Sequence, residues 1–301
     1  MNAKAGRGAS LTLAGLLSAV APPAPDPREC ARGFDRGDYA GVLERCRALL
    51  QADPKDVATR IVLARTEAAL GRFDAALLGF REALAIAPRN TDALYYLGIT
   101  AGVLAQGEYQ RLLSTAPDSA RAHQLLAESH EAQDRPAEAE AEYKAALDKN
   151  PGSLEVLVAL GTLLRSKSRF DEALSSYSRA AAIAPRNYDV LYGIGVCHSY
   201  QGQQDKAVAS FREALRADPK SAPAHYALGL SLLQTGQTQD AVAELQAAAG
   251  LEPRMRQAYY QLGRAYRLLG RSADAEAAAA KFQELLEQER AETSLERSDP
   301  R

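Results

Sequence analysis

The 301-residue sequence contains no tryptophan and only six phenylalanines, three cysteines and two methionines. Tyrosine and alanine must therefore carry much of the packing. The net charge of −2 offers no basic field to hold a phosphate backbone, so we expect no nucleic-acid partner. The sequence also lacks an apolar run of the ~20 residues that span a bilayer, which argues against an integral membrane span.

Motifs of catalytic and metal sites are also missing. There is no G-x-S-x-G elbow, no Walker A loop and no Cys-x-x-Cys pair, and "HEAQD" at His130 lacks the second histidine of H-E-x-x-H. His123 and His130 are seven residues apart, about 10 Å along a helix axis, which is too far to share a metal directly. We therefore predict no enzymatic activity, no metal and no cofactor.

The first 24 residues form a separate segment. Lys4 and Arg7 precede an apolar run from Leu11 to Ala21, as in a secretory signal. The run ends in "AVA", the small-x-small form of a cleavage site, but Pro22 follows it and disfavours cleavage. We predict a signal peptide on a bacterial, extracytoplasmic (periplasmic or secreted) protein. The alternative is a disordered tail on a cytoplasmic protein.

A proline recurs every 34 residues through most of the chain, with one interval of 29 between Pro88 and Pro117. Leu-Gly or Ile-Gly pairs, as at Ile194-Gly195, and then Ala-x-x-x-Tyr or Ala-x-x-x-Phe follow in the same phase. Apolar residues three and four apart place one stripe on a helix, and glycines between the stripes favour a turn. Each unit is thus predicted to be two short helices, the second ended by its proline. The prolines are Pro54, Pro88, Pro117, Pro151, Pro185, Pro219 and Pro253, and the turn glycines are Gly71, Gly202, Gly236 and Gly270.

This pattern resembles the tetratricopeptide repeat, W-x2-L-G-x2-Y, then A-x3-F, then P, over 34 residues. The last unit matches the first half at Tyr259, Leu262, Gly263 and Tyr266, whereas the tryptophan position is filled by other residues throughout. The resemblance covers about residues 25–289. It implies an all-α, right-handed α-solenoid of about eight helix-turn-helix repeats with an irregular, shortened third repeat.

The shortened repeat, from Ala93 to Pro117, lacks the five residues that form the turn elsewhere. No proline lies between Tyr95 and Ala116, so we predict one long helix of roughly 22 residues, weakened by its glycines. The alternative is a tight turn at Gly107 with a stunted second helix. Fusing two helices into one leaves an odd number of helices, so the repeats after Pro117 would run in the opposite direction to those before it. This predicts two sub-arrays, residues 25–117 and 118–289. The second ends in a capping helix, and a disordered tail is predicted for residues 290–301.

Two cysteines fall at facing positions of the first repeat. Cys30 takes the place of the later Gly195, and Cys46 takes the place of Phe80. If the protein is exported, we predict a disulfide between Cys30 and Cys46 that staples the terminal repeat. In a cytoplasm both would be free packing thiols, as we expect for Cys197.

The resemblance implies a groove lined by the first helices, with Tyr95 and a ladder of Tyr192, Tyr226 and Tyr260 pointing into it. Tyrosine suits recognition, although it is also common at this position in the family, so the ladder can equally be scaffold. The lysine and asparagine of the co-chaperone carboxylate clamp are absent. The predicted peptide-binding groove comprises Tyr95, Tyr192, Val196, Tyr200, Tyr226, Leu230, Tyr260, Arg264 and Arg267.

We therefore predict a non-enzymatic protein–protein interaction scaffold that binds a peptide or partner protein in its concave groove. An extended or helical peptide with hydrophobic anchors would suit this strip. The alternative is a non-catalytic, substrate-recruiting subunit of an enzyme or envelope assembly complex. Self-association through exposed array ends is a further possibility.

Overall fold

The computed structural model describes the backbone of residues 27–298 and the side chains of residues 28–292. The predicted signal peptide, residues 1–24, lies outside this part of the chain. The described residues form fifteen α-helices and no strand. The helices are α1 (Pro27–Asp35), α2 (Tyr39–Ala52), α3 (Val57–Ala69), α4 (Phe73–Ile86), α5 (Thr91–Thr115), α6 (Ala120–Ala132), α7 (Pro136–Lys149), α8 (Leu154–Ser166), α9 (Phe170–Ile183), α10 (Tyr188–Tyr200), α11 (Gln204–Ala217), α12 (Ala222–Gln234), α13 (Thr238–Leu251), α14 (Arg256–Leu268) and α15 (Ser272–Ser298).

The chain divides into two compact units whose boundary lies between Arg111 and Leu112, within α5. In the first unit α1 packs on α2 and α3, and α3 packs on α4. In the second unit five helix pairs follow one another, from α6–α7 to α14–α15, and each second helix also packs against the next first helix. Contact between neighbouring repeats alone is the packing of an α-solenoid, so the predicted all-α repeat fold is confirmed. The domain boundaries given above remain predictions.

Helix α5 is continuous from Thr91 to Thr115. The short repeat is therefore one helix, as predicted, and the alternative with a chain reversal near Gly107 is wrong. Gly102 and Gly107 lie within this helix, and a Cβ atom added to either would meet no heavy atom within 4 Å. Without the five turn residues, nothing in the sequence interrupts the helix.

The turns inside the repeats depend on one residue with a left-handed backbone. Gly202 and Gly236 have φ of +76° and +78°, a conformation that glycine adopts without a Cβ penalty. The amide after Gly202 donates to the carbonyl of His198 over 2.9 Å, and the Gly202 amide donates to Ser199 over 3.0 Å, which closes the end of α10. Ser168 takes the same conformation in its repeat, with φ of +59°.

The turns between repeats combine a proline with a helix cap. Two residues after Pro185, Asn187 accepts a hydrogen bond from the amide of Val190 and so begins α10. An aspartate, asparagine or serine follows the other prolines in the same way, except after Pro253, where Met255 provides no side-chain cap. The proline thus ends one helix and the cap starts the next. The other capping residues are Asp56, Asn90, Ser119, Ser153 and Ser221.

In the repeats that contain Gly161, Gly195 and Gly229, the core pairs a glycine on the first helix with a large residue on the second. A Cβ atom on Gly195 would lie 2.6 Å from Cε1 of Phe211, and one on Gly161 would lie 2.8 Å from Cε1 of Tyr177. Both rings are only 1% exposed. The glycines therefore allow the two helices of a repeat to approach closely around a buried ring.

The last helix, α15, continues to Ser298. The sequence predicts a disordered tail from residue 290, so this helix extends into the predicted tail. It packs against α14, and its buried residues include Ala275, Ala278 and Leu285. The capping role of this helix remains a prediction.

Candidate functional site: a cavity on the first-helix face

Four of the first helices in the second unit, α8, α10, α12 and α14, form one continuous face. Helix α8 contacts α10, α10 contacts α12, and α12 contacts α14. Within the described residues, the second helices of successive repeats approach each other less closely than this. Helices that converge lie on the inner side of a curved stack, so the first helices line the concave face of this unit.

A cavity of about 480 Å³ opens on this face between α8, α10 and α12. Five residues predicted for the groove line it: Tyr192, Val196 and Tyr200 from α10, and Tyr226 and Leu230 from α12. They come together because positions 34 residues apart lie side by side on neighbouring first helices. The other lining residues are Arg165, Ser199, Ala227 and Gln234.

The tyrosines of the cavity are held by different contacts. The Tyr192 ring packs 5.7 Å from the Phe211 ring and 5.7 Å from the Tyr188 ring, and burial raises the pKa of its phenol. Tyr200 stacks on Phe170 at 5.1 Å yet is 73% exposed. Tyr192 is therefore both a core residue and a wall of the cavity, whereas Tyr200 offers most of its surface to a ligand.

Arg165 is the cavity residue that the sequence analysis missed. It lies on α8, in exact 34-residue phase with Ser199 and Arg267. The predicted groove contains Tyr200 at this point of α10, which is one residue later in the chain than the position in phase, Ser199. A strict register would have identified both Ser199 and Arg165, which line the cavity.

The remaining predicted groove residues lie elsewhere. Tyr260 and Arg267 line a second cavity of about 180 Å³ between α14 and α15, where the Tyr260 ring is 5.7 Å from that of Phe282. Arg264 donates a hydrogen bond to Gln261 over 3.0 Å on the surface of α14. Tyr95 is 62% exposed on the first-unit part of α5. The predicted tyrosine ladder is thus divided between two cavities, because Phe282 of α15 packs against Tyr260.

The two cysteines of the first repeat, Cys30 and Cys46, are both fully buried in one small cluster with Val42 and Leu49. The structure holds them as free thiols. Burial, and then a hydrogen bond with the Cys30 thiol, raise the pKa of Cys46. The disulfide remains a prediction. Cys197 is also buried and free, and burial raises its pKa to about 11.

The histidines serve the packing and surface contacts of the repeats. Nδ1 of His123 lies 2.6 Å from Oε2 of Glu142, and Nε2 lies 3.2 Å from Oδ1 of Asp118. The contact with Glu142 raises the pKa of His123, and Asp118 adds to this effect against the opposing burial. His225 makes the equivalent contact with Glu244, also at 2.6 Å. Within the described side chains, no three potential metal ligands lie together.

None of the helices in the described part of the chain is both long and apolar enough to cross a membrane.

Comparison with known proteins agrees with the repeat analysis. Three models of the tetratricopeptide repeat match residues 158–222 and 226–291, residues 34–97 and 200–249, and residues 120–163. Together they cover most of the chain, apart from its ends and part of α5. No curated protein sequence matches.

Several solved structures share the fold. One described as "Crystal structure of MamA" has a TM-score of 0.53 and 20% identity, covering 55% of this chain and 97% of that chain. "MamA RS-1 ArsTM double mutant" has a TM-score of 0.55 and 20% identity, with coverages of 56% and 96%. "MamA 41-end from Desulfovibrio magneticus RS-1" has a TM-score of 0.52 and 22% identity, with coverages of 57% and 96%. At these identities the likeness is one of fold. From the family matches along its length, the chain belongs to the tetratricopeptide repeat family, whose stacked repeats serve as protein-interaction scaffolds.

Proposed function

We propose that this scaffold is non-enzymatic and binds a peptide segment of a partner protein on the concave face of its second unit. The observation that supports the proposal is the cavity of about 480 Å³, in which five residues predicted for the groove meet. Its walls combine aromatic and aliphatic surface with a few polar groups, the usual composition of a recognition site. Tyrosine provides a large amphipathic contact area with few rotatable bonds.

The experiment is a quantitative pull-down with the whole chain as bait. The wild type is compared with a Tyr192→Ala/Tyr226→Ala variant and with a matched Tyr109→Ala control, since Tyr109 is half-exposed on α5 and lines none of the cavities described above. We expect the double variant to bind its partners at least about tenfold more weakly, since a central aromatic anchor contributes ~1.4 kcal/mol or more to the binding free energy. The control variant should bind them as the wild type does. Unchanged capture by the double variant would remove the groove from the proposal and leave the fold intact.

Further partner classes follow as separate outcomes. Stoichiometric capture of a single enzyme would assign the chain to the role of recruiting subunit. A mass that increases with concentration would indicate self-association instead. Nucleic acid is not expected among the partners, since the net charge is −2. Extracytoplasmic localisation remains a proposal that rests on residues 1–24.

A further inference from the structure

Arg165 is the only charged residue among those that line the cavity on α8, α10 and α12. Its Nε atom is buried and has no hydrogen-bond partner among the described residues, as is also true of Nε in Arg45 and Arg60. Those two arginines pair with Asp38 and Glu82, whereas the Arg165 guanidinium forms no ion pair with any of the described side chains. A buried donor without an acceptor is costly, so such a group is an indication of a missing partner. An arginine presents a planar set of donors that fits a carboxylate with two parallel hydrogen bonds.

The described part of the chain does not provide that carboxylate. None of the nine residues lining the cavity is acidic. The preceding first helix, α6, carries Glu128 and Glu131, but these accept hydrogen bonds from Gln124 and from the Tyr143 hydroxyl. The positive charge in the cavity is therefore left for a ligand, although the chain as a whole has 38 acidic and 36 basic residues.

Beside Arg165 the cavity is apolar. Tyr192 lies close enough for the arginine charge to oppose the rise in its pKa, and Val196 and Leu230 complete the wall. A ligand with an acidic group next to an apolar one would complement both Arg165 and this apolar wall. A peptide with an aspartate or glutamate near a large apolar residue has this chemistry.

The second cavity extends the same pattern along the groove. Arg267 holds the same repeat position as Arg165, and no acidic residue lines its cavity either. Packed helices are spaced about 8–10 Å apart, so the three steps from α8 to α14 span roughly 24–30 Å. An extended peptide of about eight residues covers this distance. An acidic side chain within a peptide, rather than its terminus, would allow the peptide to continue from Arg165 toward Arg267.

On the basis of the proposed peptide-binding function, we propose that the cavity takes an acidic peptide segment. An aspartate or glutamate side chain of that segment pairs with the Arg165 guanidinium, and a neighbouring apolar side chain enters the space between Tyr192, Val196 and Leu230. This arrangement differs from a carboxylate clamp, whose lysine and asparagine positions hold Tyr192 and Val196 here.

The test is a selection of random nonapeptides by phage display on the whole chain, followed by fluorescence polarisation with the selected peptides. The peptides are synthesised with an amidated C-terminus, so that only side-chain carboxylates are available. Each is paired with a copy in which aspartate and glutamate are replaced by asparagine and glutamine. The protein variants are Arg165→Gln, the Tyr192→Ala/Tyr226→Ala variant, and Arg212→Gln, which makes the same charge change at an exposed position of α11.

We expect the selected peptides to combine acidic and apolar residues, and the amide copies to bind the wild type about 10- to 100-fold more weakly. In Arg165→Gln this difference between a peptide and its amide copy should largely disappear, and in Arg212→Gln it should persist. Because the comparison also changes the peptide on the unaltered wild type, a folding defect of the Arg165 variant cannot imitate the result.

Two outcomes overturn the inference in different ways. If the selected peptides bind equally well as amide copies, or the difference persists in Arg165→Gln, the acidic ligand is wrong while groove binding stands. If none of the peptides depends on Tyr192 and Tyr226, the proposed function fails and the inference fails with it.

Discussion

The contact between Gly195 of α10 and Phe211 of α11 predicts the outcome of a single added methyl group. In Gly195→Ala the new Cβ atom would lie 2.6 Å from Cε1 and 2.7 Å from Cδ1 of Phe211. The ring is 1% exposed and cannot move away without disturbing its neighbours. Overpacking costs about 1–3 kcal/mol, and a contact of 2.6 Å against a buried ring belongs to the upper part of that range, about 2–3 kcal/mol. The better helix propensity of alanine returns ~1 kcal/mol. We expect a net loss of roughly 1–2 kcal/mol.

The chain contains its own control. Gly263 holds the same repeat position in α14, but the large residue of the second helix is replaced there by Ala279. A Cβ atom on Gly263 would have its nearest neighbour, the Ala275 carbonyl oxygen, at 3.6 Å, an ordinary contact. We therefore expect Gly263→Ala to stabilise the protein by about 0.5–1 kcal/mol through helix propensity. The same chemical change should thus have opposite signs at two equivalent positions.

The assay is urea unfolding followed by circular dichroism at 222 nm. Repeat arrays can unfold in more than one step, so hydrogen exchange of α10 and α14 should be used to assign each change to its own repeat. If Gly195→Ala is as stable as the wild type, or if Gly263→Ala is destabilised to the same extent, close helix approach is not the reason for these glycines. Because α10 carries Tyr192 and Val196, Gly195→Ala should also lower the affinity of the protein for any ligand of the cavity.

Three further predictions concern ionisation, redox state and capping. The pKa of His123 is raised in the folded state, so its two carboxylate contacts stabilise the protein fully below its unfolded pKa of ~6.5, and this stability is lost as pH rises through the folded pKa. His123→Gln should therefore lose most stability at about pH 5.5, and the difference from the wild type should shrink by pH 8.5. Thiol titration of the exported protein, denatured without a reductant, should find one free thiol if Cys30 and Cys46 form a disulfide. Three free thiols would exclude the disulfide. The bond would contribute about 3 kcal/mol to the free energy of unfolding. Asn187→Ala removes the cap of α10 and should cost ~1 kcal/mol in thermal unfolding, whereas Gln203→Ala, at a helix start without a side-chain cap bond, should have little effect.

The repeat architecture was open to prediction because the chain marks its own periodicity. Prolines, caps and turn glycines act within a few residues of one another, so their local effect can be derived from sequence order alone. The loss of five turn residues predicted the continuous α5 for the same reason. The facing of Cys30 and Cys46 also followed, since positions within one helix pair are fixed by helical geometry.

The cavity depended on more than periodicity. Arg165 and Ser199 were missed because the predicted groove used Tyr200, which is one residue out of the 34-residue phase. A shift of one residue turns the side-chain direction by about 100° around the helix. Tyr260 was placed in a single ladder with Tyr192 and Tyr226, but Phe282 of α15 packs against it and creates a separate cavity. The contact joins α14 to α15. The 34-residue period relates equivalent positions of different repeats and does not specify which side chains of these two helices meet.

The amino-acid order alone predicted the helices, their turns, their pairing and the helix face that carries the predicted groove residues, because each depends on interactions between residues near in the chain. Only the tertiary structure decided which of the groove residues share a cavity and that Arg165 has no counter-charge there among the described side chains. Those facts depend on the packing of α8 against α10 and α12, and on what each neighbouring side chain already holds.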